Sequence, residues 1–247
     1  MPTLKKINLC GVSFDNIVKS DLRNIIKDIL TTPAQNKFIV TPNVDFIVRA
    51  HKDEKFRNLI NKADLSLCDS AIVKMASKFL RNGLKEKITG TDLLHLVCQI
   101  GEEKNIFFVL GSTEENIKKT VAKLRELFPD IRIGGFHHGY FGKDEEIIQK
   151  INSADTDILI IGMGSPKQEF WIGKNRELLN VKIIMCVGGL LDVLAEKVKR
   201  APVWMQRIGL EWFWRLIHEP RRLWKRYIVD DMKFFYLLLK QIIMGKS

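Results

Sequence analysis

The chain has 247 residues, 46% apolar and 28% charged, which suits one sizeable α/β domain with a full core and rules out wholesale disorder. Forty Lys and Arg against 29 Asp and Glu give +11, a preference for anionic partners. The four cysteines (Cys10, Cys68, Cys98, Cys186) lie far apart with no C-x-x-C pair, which argues against zinc ribbons and disulfide scaffolds and for a reduced, cytosolic compartment.

In chain order, β-branched or aromatic runs alternate with amphipathic segments. A strand is expected at Ile7–Val12, a helix at Ile17–Leu30, a strand at Phe38–Thr41 and one helix at Val44–Asn61. An apolar run, Leu65–Cys68, precedes helices at Ser70–Leu80 and Asp92–Glu102. Strands at Ile106–Leu110, Ile131–Phe136, Ile158–Met163 and Ile183–Val187 then alternate with helices at Thr113–Leu127, Asp144–Ile151 and Lys167–Leu179. The last three strands are near-continuous apolar runs, the mark of strands covered on both faces. The alternation predicts an α/β, Rossmann-like body: a mostly parallel sheet flanked by helices, with its ligand site at the carboxyl ends of the strands.

Two loops there suit an anion. Gly111-Ser112-Thr113-Glu114-Glu115-Asn116 is a glycine turn into a capped helix whose free N–H groups can hold phosphate, though capping alone accounts for it. Gly162-Met163-Gly164-Ser165-Pro166-Lys167-Gln168-Glu169 places two glycines where a group can approach the backbone, Pro166 at a first helical position, and a cation at a helix start. Neither loop is a P-loop or a G-x-G-x-x-G fingerprint. Gly188-Gly189, followed by Asp192, repeats the theme; Asp192 suits either a ligand hydroxyl or a cap.

Asp69 stands at a strand-to-helix junction. A carboxylate there can serve as a general base, but local sequence favours an N-cap. Asp92 shares the ambiguity. Adjacent histidines on a strand face opposite ways, so His137-His138 is a poor metal pair. Gly139-Tyr140-Phe141 reads as a turn offering an aromatic ring to a base or sugar. The cysteines read as small core residues.

Charge divides the chain near residue 196. Residues 197–247 hold twelve Lys and Arg against four Asp and Glu, +8 of the total, and four of the five tryptophans. No signal-length apolar run opens the chain, and Phe234–Met244, interrupted by Lys240, is shorter than the roughly 20 residues of a membrane span. On one helical wheel Arg222, Arg226, Lys233 and Lys240 oppose Trp224, Ile228, Met232, Phe235, Leu239 and Ile242. That pattern fits a terminal helix docked on the body, or one lying on an anionic membrane, and the added Trp204, Met205, Trp212, Phe213 and Trp214 favour the membrane. Nucleic acid is disfavoured, because the aromatic groups do not interleave with the cations.

Together these residues resemble the WecG/TagA/CpsF family, glycosyltransferase family 26. The resemblance rests on Thr41-Pro42-Asn43, Cys68-Asp69-Ser70, Thr89-Gly90-Thr91-Asp92-Leu93, His137 to Phe141, Gly162 to Glu169, Val187-Gly188-Gly189 and Lys199-Arg200-Ala201-Pro202. Leu210-Glu211-Trp212, Arg215-Leu216 and Glu219-Pro220-Arg221-Arg222 extend it, so one ordered set covers nearly the whole chain.

The resemblance implies an inverting, metal-independent transferase without a cofactor. It would move a sugar, often of N-acetylmannosamine type, from a UDP-sugar to a polyprenyl-diphosphate-linked N-acetylglucosamine in bacterial teichoic acid, common-antigen or capsule synthesis. Asp69 falls on the family's catalytic carboxylate; Thr41, Asn43 and Gln168 fall on pocket positions. Arg215, Arg221 and Arg222 match the active-site arginines of a C-terminal appendage that also aids attachment to the cytoplasmic face of the membrane. Gly111, Gly162, Gly164, Gly189 and Asp192 would hold the nucleotide, with Tyr140 packed on it. Ser70 departs from the Gly that many members carry after the catalytic Asp. An NAD(P)-dependent oxidoreductase, the rival on a similar body, lacks its dinucleotide fingerprint; a nucleic-acid-binding protein lacks any motif in the body.

Overall fold

The computed structural model describes residues 4–33, 35–80, 83–197, 201–202, 204–205, 210–218, 220–224 and 231–244, the side chains of 211, 215 and 222 excepted. Of the residues singled out above, Lys199, Arg200, Glu219, Arg226 and Ile228 lie outside them.

Six strands form one parallel sheet: β3 (Lys37–Val40), β4 (Leu65–Ser66), β5 (Ile106–Gly111), β6 (Arg132–His137), β7 (Ile158–Gly162) and β8 (Ile183–Cys186), in the order β4-β3-β8-β7-β5-β6. Period-two alternation splits their side chains between two cores. Ile39, Phe107, Val109, Ile160 and Met185 pack against α1 (Lys19–Thr31), α5 (Gly90–Gly101), α6 (Glu114–Leu127) and α9 (Leu190–Leu194). Phe38, Phe108, Leu110, Ile161 and Cys186 pack against α7 (Asp144–Ser153) and α8 (Lys167–Asn175) on the other face. β7 and β8 are buried throughout, as expected of strands covered on both faces. β6 is not: it is an edge strand, its residues alternate in exposure, and Phe136 is 40% exposed.

The expected strand at Ile7–Val12 is a hairpin instead. β1 (Lys6–Leu9) turns through Cys10 (φ 52°) and Gly11 (φ 89°) into β2 (Val12–Asp15). Two positive-φ residues between paired strands make the tight turn that matches strand twist. The expected helix at Val44–Asn61 is two, α2 (Val44–Lys52) and α3 (Glu54–Asn61). Asp53 separates them, leaving helical geometry to accept from Phe56 N at 3.0 Å as the cap of α3.

In the tail, α10 (Glu211–His218) and α11 (Pro220–Trp224) precede α12 (Met232–Met244), which starts after a turn at Asp231, so the single wheel drawn from Arg222 does not apply. α12 docks on a third core. Phe234, Leu237 and Leu238 pack with Leu9 and Phe14 of the hairpin, Phe46 and Ile47 of α2, and Val73 of α4 (Ala71–Ser77). Gln241 fixes the register: its Oε1 accepts from Cys10 N at 2.8 Å and its Nε2 donates to Asn8 O at 3.0 Å. Phe235, Leu239 and Ile243, on the opposite side, are 47%, 56% and 75% exposed.

Neighbouring phenylalanines therefore differ in role. Phe234→Ala is expected to cost about 3–5 kcal/mol in urea unfolding, the range for emptying a buried aromatic site, and Phe235→Ala no more than about 0.5 kcal/mol. Equal effects would show that α12 is not held on the body through Phe234.

Candidate active site

Parallel strands send every following loop to one edge of the sheet. The chain leaves β5 towards one face, into α6, and leaves β7 towards the other, into α8, so a crevice opens between their carboxyl ends. Across five strand spacings of about 4.8 Å, roughly 24 Å, the edge runs from the Asp69 end beyond β4 to the Tyr140 end beyond β6.

At the β4 end, Asp69 does not cap its helix. Ser70 does: its Oγ accepts from Val73 N at 3.2 Å. Asp69 Oδ2 accepts instead from Gly90 N at 3.2 Å, 21 residues away at the start of α5. That N–H is one of the unpaired donors of a helix N-terminus, where a carboxylate is electrostatically favoured. Backbone bonds from Asp69 N to Pro42 O (3.0 Å) and from Ile88 N to Cys68 O (2.9 Å) hold the three loops together. A Cβ on Gly90 would stand 3.5 Å from Thr41 Oγ1 and 3.8 Å from Asp69 Oδ2, so both oxygens crowd one glycine. Thr41 is buried and Asp69 half-buried. Asn43 caps α2, accepting from Phe46 N at 3.4 Å.

Asp92 is structural. It forms a capping box with Thr89 and an ion pair with Lys19 at 2.9 Å. Burial opposes its ionisation, and Lys19 and Thr89 more than offset that, holding its carboxyl below the usual range. Cys68 beside Asp69 is inert: burial pushes its thiol up to about 12, opposed by Lys87 and Lys74 among others. Those two lysines are therefore cations of the body close to the Asp69 end. Sequence reasoning missed Lys87, whose only signal is its place just before the cap of α5.

At the other end, Asp192 on α9 is not a cap. Its Oδ1 accepts from Ser112 Oγ at 2.5 Å and from Asn116 Nδ2 at 3.1 Å, tying α9 to the turn after β5. A cavity of about 620 Å³ lies alongside, lined by Thr113, Asn116, Lys119, Glu196 and Lys197 among others. It belongs to this end of the edge and not to the Asp69 end.

The glycines divide in two. A Cβ on Gly111 would run into the Gly162 backbone, and one on Gly162 into Leu191, so the protein itself fills the space beside both. The close approach expected at Gly162 is therefore made by Leu191. Gly164 (φ +82°) and Gly188 (φ +54°) face open space, and their positive φ favours glycine. Gly189 is exposed at the start of α9. Pro166 sits one position earlier than expected, at the N-cap of α8.

Tyr140 is 72% exposed. Lys167 Nζ lies 5.3 Å from its ring centroid and donates to Gly139 O at 2.6 Å, which ties the start of α8 to the loop after β6. His138 Nδ1 accepts from Tyr140 N at 3.1 Å, which tightens the turn that presents Tyr140. Between the two ends sits Gln168, 2% exposed in the first turn of α8. Of the tail arginines, Arg221 is exposed on α11, and the side chains of Arg215 and Arg222 lie outside the described residues.

Residues 7–247 match the family described as "Glycosyl transferase WecG/TagA/CpsF family". A Bacillus spizizenii strain W23 protein named N-acetylglucosaminyldiphosphoundecaprenol N-acetyl-beta-D-mannosaminyltransferase is 33% identical over 217 residues, 86% of this chain and 84% of its own length. A Staphylococcus aureus strain MW2 protein of the same name is 31% identical over 246 residues, 98% of this chain and 93% of its own. The match runs through both ends of the sheet edge and the basic tail, and the chain belongs to the WecG/TagA/CpsF family of glycosyltransferases.

Proposed function

We propose that this glycosyltransferase moves an N-acetylmannosamine-type sugar from UDP to a polyprenyl-diphosphate-linked N-acetylglucosamine, inverting the anomeric carbon in one displacement without a divalent metal. The sugar and acceptor follow the names of the relatives. The single observation that carries the mechanism is Asp69: a carboxylate beyond β4, released from capping by Ser70 and oriented by the Gly90 N–H beside Thr41. Asp69 takes the proton of the acceptor hydroxyl as its oxygen attacks and UDP departs.

The nucleotide lies along the strand ends towards β6. Asp192, with Oδ1 occupied by Ser112 and Asn116, offers Oδ2 to the ribose hydroxyls. The open turns at Gly164 and Gly188 leave room for the diphosphate, and Tyr140 packs on the uracil or ribose. Charge on the leaving diphosphate is met by Lys87 and by Arg215, Arg221 and Arg222 of the tail; the arginine fork suits two phosphate oxygens at once. The sequence's one Asp-x-Asp, Asp155-Thr156-Asp157, precedes β7 at the opposite end of the strands from this site, and Asp157 is engaged there by Lys182 at 2.9 Å and by Ile106 N at 2.9 Å.

The enzyme sits on the inner face of the bacterial membrane. Among the described residues no helix is long and apolar enough to cross a bilayer. α12 instead presents Phe235, Leu239 and Ile243 to solvent, with Lys233 and Lys240 at the border of that arc.

Asp69→Asn is expected to lower turnover roughly 10²–10⁴-fold, measured by product mass with a short-chain lipid-diphosphate-GlcNAc acceptor, and to leave UDP affinity near wild type. A near-wild-type rate removes Asp69 from the base role. EDTA is expected to leave the rate unchanged; a loss restored by Mg²⁺ or Mn²⁺ contradicts the metal-free scheme. Leu239→Glu/Ile243→Glu is expected to abolish flotation with anionic vesicles, which added salt weakens in the wild type. Undiminished flotation of that variant removes α12 from the membrane contact.

A further inference from the structure

Glu169 is fully buried, and no step above uses it. Neighbouring side chains on a helix point about 100° apart, so burying both Gln168 and Glu169 requires a helix turn enclosed on two sides. β8 supplies one wall: Cys186 lies close enough to Glu169 for the carboxylate to raise its thiol further, on top of the effect of burial. α2 supplies the other through Arg49, which is itself paired with Asp45 at 3.3 Å.

Gln168 Nε2 donates to Glu169 Oε1 at 2.6 Å. A glutamine amide can turn over and exchange its oxygen and nitrogen at little steric cost, so its partners decide which atom faces a ligand. The Glu169 oxygen facing the amide accepts, so it attracts Nε2 and repels Oε1. Gln168 Oε1 is thereby turned away, buried and without a protein partner. Burial raises the Glu169 carboxyl overall, and the Gln168 amide, the nearby Ser165 hydroxyl and Arg49 offset only part of that rise. The Ser165 hydroxyl stands close without completing a hydrogen bond, so Gln168 is the carboxylate's one side-chain donor among the described residues.

We infer that Glu169 is a positioning residue: it locks the Gln168 amide so that Oε1 is offered as an acceptor to an N–H or O–H group of the transferred sugar. This rests on the family resemblance that places Gln168 at a pocket position and on the transfer reaction proposed above. Glu169 has no exposed surface with which to touch the sugar, so it acts only through Gln168. A site built around a buried acceptor discriminates strongly against ligands without the matching donor.

The test uses the full chain. Glu169→Leu keeps the approximate volume and removes the acceptor, whereas Glu169→Gln keeps an oxygen that can accept from Nε2. With UDP-N-acetylmannosamine and the short-chain acceptor, Glu169→Leu is expected to lower kcat about tenfold or more, as Gln168→Leu does, with UDP affinity and Tm near wild type. Glu169→Gln is expected to stay within about threefold of wild type, and Gln168→Leu/Glu169→Leu to be no slower than Gln168→Leu alone. Wild-type kcat in Glu169→Leu, or losses that multiply in the double variant, overturns the proposal. If Glu169→Leu does not fold, Glu169→Asp decides, because it withdraws the acceptor by one methylene and is expected to lose kcat; unchanged kcat there overturns the proposal.

A second arm needs no turnover. In ¹⁵N-labelled protein the Gln168 side-chain N–H₂ resonances, identified by their loss in Gln168→Leu, are expected to show one downfield, slowly exchanging proton that Glu169→Asp removes. Equal exchange in wild type and Glu169→Asp overturns the proposal. A wild-type chain that transfers no sugar to this acceptor sinks the functional reading, and this second arm then decides the role of Glu169 by itself.

Discussion

Parallel pairing is the constraint on which the rest of the molecule depends. Each of the six strands must be re-entered from the same end, so each crossover returns over a face of the sheet and each following loop is left at one edge. Neighbouring loops there either leave together or part. They part between β5 and β7, where Gly111 and Gly162 press backbone against backbone, and beyond β4, where α4 joins α2 in one core and α5 joins α1 and α6 in another. The first parting opens space beside Gly164 and Gly188; the second brings Thr41, Asp69 and Gly90 to one point. Both ends of the site are thus consequences of strand order before they are consequences of side-chain chemistry.

That dependence explains what was legible in the sequence. Apolar runs such as Ile158–Met163 announce central strands because the chemistry that buries them is written in each residue. β6 resembles them in composition, but its Gly134-Gly135 pair and its place at the edge leave Phe136 open to solvent, and only strand order decides that. The hairpin was hidden because its turn is Cys10-Gly11, outside the usual Asn-Gly or Asp-Gly signals. Asp69 was ambiguous for a local reason: Asp69 and Ser70 are both good cappers and adjacent, and the partner that separates their roles, Gly90, is 21 residues away. Glu169 was illegible altogether. Ser165-Pro166-Lys167-Gln168-Glu169 reads as a polar helix start, and its burial depends on α2 and β8 closing over it.

The tail shows how one short helix presents two apolar surfaces. A wheel drawn from sequence finds one apolar face opposite the cations. α12 has two, because Phe234, Leu237 and Leu238 are spent on the body while Phe235, Leu239 and Ile243 remain outside. A helix that bound the membrane with its only apolar face would have to leave the body to do so. With the second arc available, docking on the body and contact with a lipid surface no longer compete.

The docked face also sets where the Asp69 end of the sheet stands relative to that outer arc. Gln241 of α12 grips the hairpin at Asn8 and Cys10. The hairpin grips the sheet through Asp15, whose buried Oδ2 accepts from Ser66 N on β4 at 2.8 Å. Burial raises the Asp15 carboxyl, and the Ser66 N–H and Lys6 oppose the rise. Ser66 is three residues before Asp69 on the segment that ends at the site. A chain of short hydrogen bonds therefore runs from the helix proposed to lie on lipid to the strand that carries the proposed base. A hydroxyl on a polyprenyl-linked sugar stands at a height above the bilayer set by its own diphosphate. An enzyme that must meet it repeatedly gains from having its base at a fixed height as well, and this linkage supplies that without a membrane-spanning anchor among the described residues.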